Sequence, residues 1–180
     1  MGLRNSARLN RLPKTISIRT ACNRDGNYIK DIDLKSYQYP WDGVRWQGID
    51  ENIAVAEIVA LEHAQPIGFA RWEVDQHLES EVTVLRLAVK PANRRQGAGT
   101  LMLRHIINDS KDNGFLKVST VIPEINCLPG HPDDVSQWLL NRGFRVELPV
   151  IKDFAYMYGQ WVDGFKFVTR VLEIGCEFFT

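Results

Sequence analysis

Apolar and polar residues alternate from Lys14 to Thr20, with Ile16 and Ile18 on one side, which predicts a first strand. From Asp25 to Tyr39 the spacing changes, and Tyr28, Ile32 and Leu34 or Lys35 recur at helical intervals. This weak helix ends at Tyr39-Pro40-Trp41, because the residue before a proline is pushed out of the helical region. Trp41 to Trp46 reads as a loop or a short second helix. Three strand signals follow. Ile53 to Glu62 and Ile67 to Val74 are rich in apolar and β-branched residues and flank a turn at His63-Ala64-Gln65-Pro66. Val82 to Val89 comes after a polar turn at Asp75 to Ser80. Connections this short make an antiparallel meander.

Helical spacing returns from Thr100 to Asn113. Leu101, Leu103, His105, Ile106 and Ile107 supply the apolar side, Lys111 sits in the last turn and Gly114 caps the end. Phe115 to Ile122 is the next strand, and the crossover makes it parallel to Val82–Val89. Pro132-Asp133-Asp134 opens a further helix, with acids at its positive end, and Gly143 closes it. Phe144 to Leu148 and Phe165 to Leu172 are the last strands. Val150 to Gly164 between them is a long, aromatic-rich connection, and long connections in compact domains are often functional. The pattern predicts an α+β (α/β-like) fold with a mixed, mostly antiparallel sheet of six to seven strands.

Composition narrows the function classes. The 180 residues suit one domain, 1–180, with 1–13 as a flexible N-terminal segment, and a core burying roughly 70% of the unfolded surface. Lysines and arginines number 22 and so do the acids, so no global charge pulls the chain toward nucleic acid or a membrane surface. No apolar stretch is long enough to cross a bilayer. Cys22, Cys127 and Cys176 are odd in number and form no CxxC, which argues against a disulfide framework or zinc site and suits a reducing, cytoplasmic setting. Arg4, Arg8, Arg11, Lys14, Arg19 and Arg24 precede the first acid, as in transit peptides, and Met1 to Ser6 fits the loose myristoylation template; a frayed terminus is the simpler reading of both.

The chemistry concentrates at Leu87-Ala88-Val89-Lys90-Pro91-Ala92-Asn93-Arg94-Arg95-Gln96-Gly97-Ala98-Gly99-Thr100-Leu101-Met102-Leu103, where a strand runs through a basic, glycine-bearing turn into a helix. Glycines let the backbone approach a bulky anion, and the first amides of a helix point outward, unpaired, at its positive end. Together they cradle phosphate. A P-loop would need a lysine after the last glycine and has none; a dinucleotide fingerprint would need glycine or alanine where Met102 stands.

Arg94-x-x-Gly97-x-Gly99, following Leu87-Ala88-Val89-x-Pro91 and followed by Leu101-Met102-Leu103, resembles the acetyl-CoA loop of the GNAT (general amine N-acetyltransferase) superfamily. The resemblance spans about residues 14–172 in element order and is sharp at 87–103. It implies a GNAT fold with helices on both faces and a splayed parallel strand pair at the centre. It implies acetyl-CoA as co-substrate, with its pyrophosphate on the amides of Gln96, Gly97, Ala98, Gly99 and Thr100 beside Arg94 and Arg95. Pantetheine would lie between the strand ending at Leu87, Ala88 and Val89 and the strand Phe115–Ile122, and the amides of Ala88 and Val89 would polarise the thioester carbonyl. A primary amine of a protein or small molecule would then attack directly.

The attacking amine must lose a proton, and the leaving thiolate takes one. The family's usual acid is a tyrosine four residues before a Gly-Phe pair; here the pair is Gly143-Phe144 and the residue is Leu139. Tyr156 and Tyr158 are substitute candidates, alongside water or the amine itself. Glu81 is the first candidate base, ahead of Glu73, Asp75 and His77. His131 reads better as a loop or capping residue, His63 and His105 as structural, Trp138 as core, and Cys127 lacks a base. No metal-ligand spacing occurs. The aromatics of 150–164 suit an acceptor pocket or a homodimer interface. The missing tyrosine raises an alternative, a GNAT-fold module that grips a partner protein without turnover.

Overall fold

Ile16 and Ile18 do face the core, from a strand β1 that covers Ile16–Thr20. The computed structural model describes residues 15–40, 54–74, 80–128 and 134–171. The readings placed on 1–14, 41–46, Asp75, His77 and 131–133 lie outside them. β2 (Ala54–Glu62) pairs antiparallel with β1 and with β3 (Gln65–Val74). β2 and β3 meet at a two-residue turn, with His63 and Ala64 both at positive φ, 50° and 63°. That left-handed pair suits a tight hairpin because its twist matches that of the strands. β4 (Glu81–Val89) continues the meander.

The chain then crosses over through helix α2 (Ala98–Asp112) to β5 (Lys117–Pro123), which runs parallel to β4. β6 (Arg145–Met157) forms the far edge, and β7 (Gln160–Arg170) inserts between it and β5. The seven-stranded order is β1-β2-β3-β4-β5-β7-β6. The sheet is mixed and mostly antiparallel, with the one parallel contact among the described residues near its middle, as expected.

Helices cover both faces. From α2, Met102, Leu103, Ile106 and Ile107 bury against Trp72, Val82, Val118, Phe144 and Phe167. Each such side chain contributes roughly 1.5–3 kcal/mol of transfer free energy. On the other face α1 (Gly26–Ser36) presses Ile29 and Ile32 onto Phe69 and Ala88. α1 is shorter than its sequence pattern and is preceded by a 3-10 turn at Asn23–Asp25. Helix α3 (Ser136–Leu140) is shorter still; Asp134 Oδ1 accepts from the Ser136 amide and hydroxyl at its start, and Leu139 is its buried anchor.

The region 150–164 departs from expectation. It is no open connection: β6 and β7 run through it and turn only at Tyr158-Gly159, both at positive φ. The register slips twice, between Glu147 and Ile151 and between Ile151 and Ala155, and Asp153 sits at φ 49°. Those irregularities scramble the period-two pattern by which a strand is read.

Candidate active site

β4 and β5 pair only at Glu81–Lys117, Val82–Val118 and Thr83–Ser119. The Thr83 and Ser119 hydroxyls lie 3.3 Å apart at the apex, and Thr120 Oγ1 donates to the Val84 carbonyl at 2.9 Å. Beyond that point each strand keeps only its other neighbour, so a cleft opens between 85–89 and 121–123. A bulge causes the parting: Arg71 faces Arg86 but Trp72 faces Val84, leaving Leu85 as the extra residue and bending β4 away just past the apex.

The open edge of β4 carries main-chain groups with no strand partner. The Lys90 amide bonds to the Ile67 carbonyl on β3. Antiparallel ladders alternate, so Ala88 also turns its polar groups to β3, opposite Phe69, while Leu87 and Val89 turn theirs into the cleft. Of the two amides expected to polarise a carbonyl, Val89 therefore faces the cleft and Ala88 does not; the Leu87 amide faces it as well. Their carbonyls confirm the orientation. Leu87 O accepts from the Tyr37 hydroxyl at 2.5 Å, and Val89 O accepts from Ser36 Oγ and Arg94 Nε, both at 3.2 Å.

β4 ends in the turn that opens α2. Arg95 and Gly97 both take positive φ, 61° and 92°, and such turns gather N–H groups on a concave side. The first helical hydrogen bond is Leu101 N–H to Gly97 O, at 2.9 Å, which leaves the amides of Ala98, Gly99 and Thr100 without helical partners. A Cβ on Gly97 would meet nothing within 4 Å, and one on Gly99 would stand 3.7 Å from Leu87 and Trp138 and 3.8 Å from Val89. The cradle is thus open, and it adjoins the cleft. Gln96 lies on its exposed rim and sends its side-chain amide back to the Ala92 carbonyl at 3.4 Å. Arg94 is placed differently from expectation: its guanidinium ties the Ser36 carbonyl of α1, at 3.0 Å, to the end of β4.

The acid and base candidates scatter. Glu81 lies at the closed end of the parallel pair, not the open one. It is 5% exposed, accepts a short hydrogen bond from Ser119 Oγ, and pairs with Lys166 Nζ at 2.8 Å. Burial works against the Lys166 ammonium, but hydrogen bonds and charge from Glu81 and Glu147 outweigh it and hold its pKa above the usual value. Tyr156 stacks edge-on to Trp161, and both are exposed. Tyr158 donates its hydroxyl to Gln38 Oε1 and its amide to the Tyr39 hydroxyl, at 2.8 Å, so the β6–β7 tip is tied to the chain leaving α1. Leu139 is buried core, and burial with nearby Asp134 and Glu124 pushes the Cys127 thiol up to about 11, far from thiolate.

Two residues escaped the sequence reading. Tyr37 lines the cleft edge, clamped under the Arg86 guanidinium 3.6 Å from its ring centroid, while Arg86 is fixed by Asp33 at 2.7 Å. Burial raises the Tyr37 pKa, so it stays a neutral donor. Arg142 stacks on Trp138 and donates to Thr100 at the first turn of α2. Neither belongs to a motif, because its partners are brought near only by folding.

A model of the acetyltransferase (GNAT) family matches residues 20–126. The chain belongs to this family. The match runs from the end of β1 past β5 and includes the whole GNAT loop at Arg94–Thr100. No curated protein matches the chain in sequence. Solved GNAT structures share its fold at low identity. The ribosomal-protein-S18-alanine N-acetyltransferase of Escherichia coli superposes with TM-score 0.70 at 16% identity, over 90% of this chain and 97% of that one. A GNAT acetyltransferase of Elizabethkingia anophelis with acetyl-CoA bound gives 0.66 at 16%, over 86% and 97%. A chimera of the spermidine N-acetyltransferase SpeG of Vibrio cholerae gives 0.69 at 15%, over 88% and 96%.

Proposed function

We propose that this protein moves an acetyl group from acetyl-CoA to a primary amine. The observation that carries the reading is the row of amides at Ala98, Gly99 and Thr100 without helical partners, set at the mouth of the β4–β5 cleft. Gln96, Gly97, Ala98, Gly99 and Thr100 would hold the diphosphate, with Arg95 nearby on the exposed rim. Leu87 and Val89 would bind along the cleft, their amides placed to stabilise negative charge on a carbonyl oxygen. The amine would enter from the side walled by Tyr39, Tyr156, Tyr158 and Trp161. Tyr158 is the nearer of the two candidate acids to α1, and Glu81, spent on Lys166, serves the fold. GNAT relatives of this fold include enzymes named for a protein amine and for spermidine, which supports an amine acceptor of either kind. Family membership favours an enzyme over the partner-gripping alternative.

Calorimetric titration tests the donor. Acetyl-CoA should bind with a Kd of about 1–100 µM, in the usual range for enzyme substrates. Gly99→Glu, which places a carboxylate between Leu87, Val89 and Trp138, should lose binding while still folding. Wild-type protein giving no heat with acetyl-CoA or CoA would remove the assignment.

A further inference from the structure

Arg142 follows α3 and reaches back to the first turn of α2. Nη2 donates to Thr100 Oγ1 at 2.7 Å and Nη1 to the Trp138 carbonyl at 2.9 Å. Its guanidinium carbon stands 4.5 Å from the Trp138 ring centroid, and the same indole covers Gly99. Nε is buried, with no hydrogen-bond partner among the described residues. Among the described residues, no carboxylate pairs with this side chain. The charge also sits at the positive end of α2, where the helix dipole repels it. Partial burial works in the same direction and lowers its pKa. An unmet donor, partial desolvation and a like-signed helix end all disfavour this cation, and no described anion offsets them. One bound on the neighbouring amides would offset the partial desolvation of the charge and the like-signed helix end.

We propose that Arg142 is a donor-binding residue, supplying the counter-charge to the diphosphate of the acyl donor on the α2 amides, with Thr100 and Trp138 fixing its guanidinium. This rests on the acetyl-CoA reading above. It accounts for why a cation is built against the cradle when Arg94, the motif's own arginine, bonds to the Ser36 and Val89 carbonyls.

The test compares wild type, Arg142→Met and Arg142→Lys by calorimetry with CoA and with 3′-dephospho-CoA, at low and high salt, alongside melting of the ligand-free proteins. Methionine keeps an apolar stem over Trp138 and removes the charge. Arg142→Met should weaken both ligands alike by roughly ten- to a hundred-fold, the scale of one charge-assisted hydrogen bond. Its affinity should also depend less on salt. Lysine should recover part of the loss, and ligand-free Arg142→Met should melt no lower than wild type. Unchanged affinity overturns the proposal. So does a loss confined to CoA, which would assign the 3′-phosphate instead. So does a lower ligand-free Tm, which would make Arg142 a structural clamp. Failure of wild type to bind either ligand would sink the donor reading itself, and this inference with it.

Discussion

At Asp25 one carboxylate accepts from Arg19 at 2.6 Å and from the Cys22 amide at 2.8 Å while 3% exposed. The Arg19 hydrogen bond, ahead of the Cys22 amide, holds its pKa well below the usual carboxylate range against the opposing effect of burial. The folded state therefore binds this proton less readily than the unfolded chain. The resulting stability is present above the unfolded value of about 4 and is lost as pH falls toward the folded one. Asp25→Asn should be less stable than wild type at pH 7, and the difference should shrink at pH 3, as read from urea midpoints. Glu81 gives the second residue-scale prediction. Removing one member of a buried pair leaves the other uncompensated, so Glu81→Gln should cost about 2 kcal/mol, discounted because Lys166 is partly exposed. An unchanged urea midpoint with lost acetyl transfer would instead return Glu81 to the chemistry. The sequence showed both acids and could not tell them apart, since their partners Arg19 and Lys166 differ only by where folding puts them.

Among elements, α2 and the strands β1 to β5 were legible because hydrophobic spacing and punctuation agreed: Pro91 after β4, Gly114 after α2. β6 and β7 were truncated in the reading because two register shifts break their alternation. Gly68 shows how closely neighbouring elements approach near the site. A Cβ there would lie 2.7 Å from the Ala88 carbonyl oxygen and 3.1 Å from Met102 Cε. The first contact is backbone and cannot swing aside, so Gly68→Ala should cost about 1–3 kcal/mol as overpacking does. It should also weaken CoA binding, because β4 leads directly into the cradle. A wild-type urea midpoint for this variant would show that the β3–β4 spacing is softer than its geometry.

For the molecule as a whole, the sequence by itself determined the order of elements, the parallel sense of β5 and the glycine-bearing turn that opens α2. Each is a local property: periodicity, a crossover rule, and glycines beside a helix start. Only the tertiary structure decided where the cleft opens, since that depends on a bulge opposite Arg71 and Trp72. It also decided that Leu87 and Val89 face the cleft while Ala88 does not, and that Arg142 stands against the cradle. Residues such as Tyr37 and Leu87, or Thr100 and Arg142, are far apart in the chain and meet only in the folded protein. One-dimensional spacing carries local conformation, whereas a site is a set of distances between elements, and those are fixed only when the core packs.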